Sequence, residues 1–365
     1  MAEPFKNLFS PEFVREVGRA LAAAGISVDA KAFAATVLEG WEGLELKERM
    51  REVSDGFRRF LPGDYGDQLD VLLRCHREFS GLPHLVFPDF VGRFGVEYPE
   101  RSLDALEAFT SRSSSEFGVR PFLERDLEQT LWRVMRWTEH SNEHVRRLAS
   151  EGTRPRLPWA SPLRELIRDP RPALPVLDAL ADDPSEYVRR SVSNHLNDIC
   201  KDHPEIALEW ARRHRGESKE RVRLLKHGLR TLLKEPRAEA LRLFGYEPPN
   251  RIRVTDFSVS PDPVQRDGTV VMDARLDRID GQPIGPLRVD MVLYFLKPSG
   301  RVSSKVFRLS DRVVEGADTS VRGRYTFTDK STRRHAPGAH RLELRLNGAT
   351  VREADFELEF TDSPG

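Results

Sequence analysis

Two regimes of periodicity divide this sequence, and they predict an all-α helical-repeat region followed by an all-β sandwich. Up to about residue 246, apolar residues recur at helical spacing, as in Leu123, Leu127, Leu131 and Val134. Beyond Tyr246-Glu247-Pro248-Pro249-Asn250 the period falls to two. The third observation is an echo. Glu143-His144-Val145-Arg146-Arg147 returns forty-three residues later as Glu186-Tyr187-Val188-Arg189-Arg190, and more loosely as Glu220-Arg221-Val222-Arg223. A period in the forties with helical patterning around each copy marks paired-helix, HEAT-like solenoid units.

In chain order, residues 1–112 read as the N-terminal helical region of the solenoid. Ser10-Pro11-Glu12 opens a helix in the cap-then-proline manner, and Gly25 ends it. Helices are expected over Ala30–Leu38, Leu46–Phe60, Tyr65–Glu78 and Leu103–Phe109. Residues 113–246 form the repeats that carry the groove. One strong helix is expected over Pro121–Trp137, then His144–Glu151 stopped by a left-handed cap at Gly152. Shorter helices follow at Leu163–Ile167 and Pro172–Leu180, then Tyr187–Lys201, Pro204–Arg213 and Lys219–Leu233. Residues 251–362 contain about seven short alternating segments separated by turns such as Ser299-Gly300 and Asn347-Gly348, the pattern of an immunoglobulin-like sandwich. The fold class is thus multidomain, an all-α HEAT-like solenoid and an all-β immunoglobulin-like sandwich.

A length of 365 residues exceeds one ordinary core, so more than one domain is expected. No apolar run has transmembrane length and the start lacks a signal-type stretch, so the reading is cytoplasmic with no membrane contact. Two distant cysteines, Cys75 and Cys200, support neither a disulfide framework nor a zinc ribbon. Basic and acidic residues balance at 58 each, which taken alone speaks against nucleic acid. The charge is uneven, however: Arg212 through Arg237 is locally basic, which suits either phosphate contact or a solvated helix face.

Several polar residues sit where a scaffold would want small or apolar ones. Arg190, Asn194, Asn197, Asp198 and Lys201 share one helix face at intervals of three and four. Asn and Asp are mediocre helix formers, so a run of them indicates a polar groove lining or a network to the next repeat. Glu151 meets the negative end of its helix dipole; either Arg147, one turn back, compensates it, or the position serves a ligand. Ser113-x-x-Glu116 fits a capping box, a purely structural role. Trp159, in the proline-rigid Arg154-Pro155-Arg156-Leu157-Pro158-Trp159, is either a plug between repeats or an aromatic surface for a base or sugar. Together these give carboxylates and an aromatic in a groove flanked by cations. Such carboxylates make most sense if the substrate develops positive charge, as a sugar does when a glycosidic bond breaks. P-loop, HExxH and nucleophile-elbow patterns are absent from the sequence.

Three segments carry a family resemblance. Ser114-Ser115-Glu116-Phe117-Gly118-Val119-Arg120-Pro121-Phe122, Ser150 through Trp159, and Asn194-His195-Leu196-Asn197-Asp198-Ile199 resemble, in that order, the AlkC branch of the HEAT-like DNA alkylation-repair glycosylases. The likeness covers roughly residues 1–245, and the β region is similar in composition to the immunoglobulin-like module of an AlkC subset. The resemblance implies excision of N3-methyladenine and N3-methylcytosine from alkylated double-stranded DNA, without cofactor or metal and without full base flipping. By motif it implies Glu116 and Asp198 at the sugar and the water, Glu151 in support, and Trp159 and Phe117 at the lesion and its deoxyribose. Arg120, Arg147, Arg154, Arg190, Asn194 and Lys201 would hold the DNA. His195 and Cys200 depart mildly from the pattern. A monomer without protein partners is expected. The alternative is a non-catalytic HEAT-repeat scaffold binding DNA or protein. In the β region Arg322, Arg324, Lys330, Arg333 and Arg334 suit either phosphates or a solubilising, protein-binding face.

Overall fold

The computed structural model describes residues 4–24, 28–216, 218–235, 237–329 and 334–360; Gly25, Lys330 and Arg333 of the expectations above lie outside them. Two compact units emerge, residues 1–228 and 229–365, so residues on both sides of position 112 share one unit.

In the first unit, helices begin where local chemistry allows. Pro11–Ala23 starts on Ser10, whose Oγ accepts from Phe13 N, and Leu46–Phe60 starts with a reciprocal Glu45/Glu48 capping box. The expected Pro121–Trp137 helix is two helices, Arg120–Arg125 and Leu127–Trp137. They break at Asp126, which is extended (φ −146°) and caps Gln129 N with its carboxylate. Local capping beats a continuous apolar stripe here. Gly152 is not a left-handed cap either. It lies inside the helix Glu143–Gly152, where an added Cβ would come within 2.6 Å of Val119 Cγ1. The Lys219–Leu233 expectation likewise divides, the first helix ending at Gly228. A helix at Val86–Phe94, which the pattern did not reveal, supports the segment that follows residue 113.

The echo is a structural device. Arg146 donates to the carbonyls of His140 and Ser141, and Arg189 to those of Asp183 and Pro184. In both copies an arginine folds back onto the turn six and five residues earlier. Val145 and Val188 are buried beside them. Arg146 also grips Asp183 through two nitrogens, at 2.6 and 3.0 Å, tying the first copy to the turn that opens the second.

In the second unit, short helices at Arg230–Lys234 and Ala238–Leu243 precede eight strands. These are β1 Ile252–Ser260, β2 Val264–Gln265, β3 Thr269–Arg278, β4 Gly285–Leu296, β5 Val302–Val314, β6 Asp318–Thr326, β7 Gly338–Leu346 and β8 Ala349–Glu359. One sheet has the order β1-β3-β6 and the other β2-β8-β7-β4-β5. Val270, Met272, Ala274 and Leu276 alternate into the core and meet Leu287, Val289, Met291, Leu293 and Phe295 of β4. The two-residue β2, parallel to β8, is the strand the alternation did not announce.

Candidate active site

The Glu116 turn is placed by close packing. An added Cβ on Gly118 would sit 2.5 Å from the Pro88 carbonyl, so only glycine allows this turn so near the helix Val86–Phe94. Ser115 anchors it through a 2.7 Å bond to the Leu106 carbonyl. The capping box does not form: Ser114, not Ser113, reaches Glu116, with Oγ donating to Oε2 at 2.6 Å. Arg147, from the first repeat helix, pairs with that same carboxylate and reaches Ser114 Oγ at 2.8 Å.

Arg154 holds the other two carboxylates. Its Nη1 donates to Glu151 Oε1 at 2.6 Å and its Nε to Asp198 Oδ2 at 2.9 Å. Ser191 donates to Glu151 Oε2 at 2.5 Å, and Lys201 Nζ lies 3.0 Å from Asp198 Oδ1. Arg147 approaches Glu151 at 3.6 Å, so the i,i+4 pair exists but Arg154 is the nearer partner. Burial works against both guanidinium charges. Glu116 and Glu151 around Arg147, and Glu151 and Asp198 around Arg154, outweigh it and raise both pKa values above the ordinary arginine range. Three carboxylates and three cations therefore form one chain from Glu116 to Lys201.

The loop from Arg154 to Trp159 is clamped onto the helix Glu186–Asp202. Arg154 takes Asp198, and Arg156 takes Asp202 one turn on through bonds of 2.7 and 2.8 Å. Leu157 is buried, while Trp159 is 58% exposed. Trp159 has φ +66°, a left-handed conformation that costs a non-glycine residue about 1 kcal/mol or more. Lys47 donates to its carbonyl, and Lys47 Nζ also lies 5.5 Å from the centre of the Phe117 ring. Trp159 is thus an exposed aromatic, not a plug.

Among the expected DNA contacts, Arg120 occupies an interior position. It is 4% exposed, and its guanidinium donates to the carbonyls of Gly152, Arg154 and Ser161 at 2.6–3.2 Å. Burial pulls its pKa down to about 10. It staples the Trp159 loop rather than facing solvent. Arg147 and Arg154 are spent mainly on carboxylates. Arg190 and Lys201 are exposed, and Asn194 Oδ1 accepts from His227 Nε2 at 3.1 Å. Asn197 and Asp198 on the shared face are buried. Ser114, Ser191, Lys47 and Tyr187 join the site without having been singled out from sequence. Tyr187 left a trace as the aromatic position of the second echo, and Ser114 as the first residue of the Glu116 segment. Among the described residues no three of His, Cys, Asp and Glu converge as a metal set.

Residues 253–360 match the family described as "Uncharacterised protein YhaZ, C-terminal Ig-like domain". The chain is 39% identical over 322 residues to YhaZ of Bacillus subtilis, covering 88% of this chain and 89% of that protein. It also superposes on the Pseudomonas fluorescens alkylpurine DNA glycosylase AlkC, solved bound to DNA containing an abasic site analog. There the TM-score is 0.92 and the identity 34%, across 98% of this chain and 100% of that one. The helical region and the terminal sandwich match together, and the chain belongs to the AlkC family, in the branch that carries a C-terminal immunoglobulin-like domain.

Proposed function

We propose that this protein is a DNA glycosylase that hydrolyses the N-glycosidic bond of cationic alkylated bases, N3-methyladenine and N3-methylcytosine, in duplex DNA, without turning the base fully out of the helix. The observation that carries the reading is the cation-braced set Glu116, Glu151 and Asp198 beside an outward tryptophan. A likeness over nearly the whole chain to a glycosylase solved on abasic DNA supports it.

The chemistry balances without an acid at the base. A base that already carries positive charge leaves with the electron pair of the C1′–N bond and departs neutral. The deoxyribose keeps oxocarbenium character, which preorganised anionic oxygens stabilise. Water then adds to C1′ and its proton passes to a carboxylate. Glu116 takes the sugar-facing role because its side chain is 14% exposed, against 7% for Glu151 and 1% for Asp198. Glu151 and Asp198 fix Arg154 and set the field behind it. Trp159 packs against the deoxyribose with Phe117 beside it, and Arg190, Asn194 and Lys201 meet phosphates.

The test is release of methylated base from alkylated duplex by wild type, Glu116→Gln and Asp198→Asn, with binding to an abasic-analog duplex measured alongside. Wild type should release base, and both variants should bind yet lose release by about 10²–10³-fold. A wild-type protein that binds such DNA and releases nothing would be the non-catalytic scaffold instead.

A further inference from the structure

Tyr187 lies outside every hydrogen bond of the carboxylate chain, yet it touches the centre of it. The Arg147 guanidinium carbon sits 5.3 Å from the Tyr187 ring centroid. The nitrogens of that guanidinium go to Ser114, Glu116 and Glu151, and the face of the tyrosine ring lies against the same group. The ring is itself held: His144, one turn before Arg147, meets it edge-on with centroids 5.6 Å apart. Tyr187 remains 41% exposed, and its hydroxyl has no hydrogen bond among the described residues.

The repeat supplies an internal comparison. His144 and Tyr187 are equivalent positions, forty-three residues apart, as are Arg147 and Arg190. In the third copy the place of Tyr187 is taken by Arg221, a cation turned to Asp182. The copy without an aromatic cover has an unbraced arginine: Arg190 is exposed and forms no ion pair among the described residues. The copy with the cover has an arginine fixed on a carboxylate.

We infer that Tyr187 is a positioning residue, whose ring caps Arg147 and so aims the Glu116 carboxylate at the reacting sugar. The inference rests on the glycosylase reading. The aromatic face excludes water from one side of the Arg147–Glu116 pair, and a drier pair holds its geometry more firmly. The ring, and not the hydroxyl, is the working part.

Tyr187→Phe and Tyr187→Leu separate these roles, with Tyr187→Gln as a second ring-less variant should the leucine protein fail to fold. Three quantities are read: single-turnover release of methylated base, Kd for an abasic-analog duplex, and the nitrogen resonances of the Arg147 side chain, assigned with Arg147→Lys. The ring-less variant should lose about tenfold in release rate, the scale of one desolvated cation–π contact, with Kd unchanged. Its Arg147 resonances should broaden, while the phenylalanine variant keeps wild-type rate and resonances. A ring-less variant with unaltered resonances overturns the inference, as does a phenylalanine variant that loses as much as leucine. A wild-type protein that releases no base would defeat the glycosylase reading, whereas the resonances would still decide what Tyr187 does to Arg147.

Discussion

Arg154 Nε donates to Asp198 Oδ2 at 2.9 Å across forty-four residues of sequence, and both side chains are almost wholly buried. The same guanidinium holds Glu151, so two repeats and the Trp159 loop close on one cation. Removing it takes the nearest cation from two buried carboxylates, leaving Lys201 on Asp198 and Ser191 and the more distant Arg147 on Glu151. Arg154→Met should cost about 3–5 kcal/mol of stability, the usual penalty for breaking a buried pair from one side. Adding Asp198→Asn should recover part of that loss. Urea unfolding of the two single variants and the double checks this; strictly additive losses would mean the pair is not coupled.

The fold was most legible where local and global signals agree. The start at Ser10-Pro11 follows from capping chemistry, and the strands follow from alternation. The helix Val86–Phe94 was hidden because it is apolar nearly all round and contains Pro88, which reads as a breaker although it sits in the first turn. In the site, Glu151 and Asp198 stood out because each breaks a local rule for helices. Which arginine would face inward did not. Arg120, Arg147, Arg154 and Arg190 look alike as letters. Their division into a backbone staple, two carboxylate clamps and an exposed cation is set by tertiary contacts thirty to forty-five residues away.

His195 makes the acid stability of this region predictable. It is wholly buried, its Nδ1–H donates to the Ser150 carbonyl at 3.1 Å, and its Nε2 has no partner among the described residues. Burial lowers its pKa to about 4 from an ordinary 6.5. Between those values the unfolded chain binds the proton and the folded chain refuses it, so the contribution is full above pH 6.5 and is lost as pH falls towards 4. The loss is on the order of 3 kcal/mol. His76 and His84, lowered by burial to about 4 and 3, act in the same direction in every variant. His195→Asn keeps a donor for Ser150 but removes the titration. Its unfolding free energy should therefore decline less than that of wild type over this range, and matching curves would remove His195 from the account.

Lesion charge should decide the substrates. The carboxylates are committed to Arg147, Arg154 and Lys201, so among the described residues of the site none is left to protonate a neutral leaving base. Cationic N3-methyl lesions should therefore be excised readily. A neutral adduct such as O6-methylguanine should be released at least about a hundredfold more slowly, because general-acid help of about 10²–10⁴-fold is missing. Equal rates for the two classes in a base-release assay would sink the mechanism proposed for Glu116.

The β-domain offers a separate expectation through Arg322 and Arg324. Both lie on β6, an edge strand of its sheet, two residues apart and hence on the same face, and both are exposed. Arg322 stands opposite Asp273 in the β3–β6 register and lies 3.5 Å from its carboxylate, whereas among the described residues nothing comparable restrains Arg324. If this face meets DNA, each phosphate it neutralises steepens the fall of log K with log salt by about 0.9. Arg324→Ser should reduce that slope by nearly the full amount and Arg322→Ser by less, since Arg322 already has a carboxylate partner. Neither should change the release rate at saturating protein. Titrations of an abasic-analog duplex between low and moderate salt read the slope directly. An unchanged slope in the double variant would assign this face to solubility or to a protein partner.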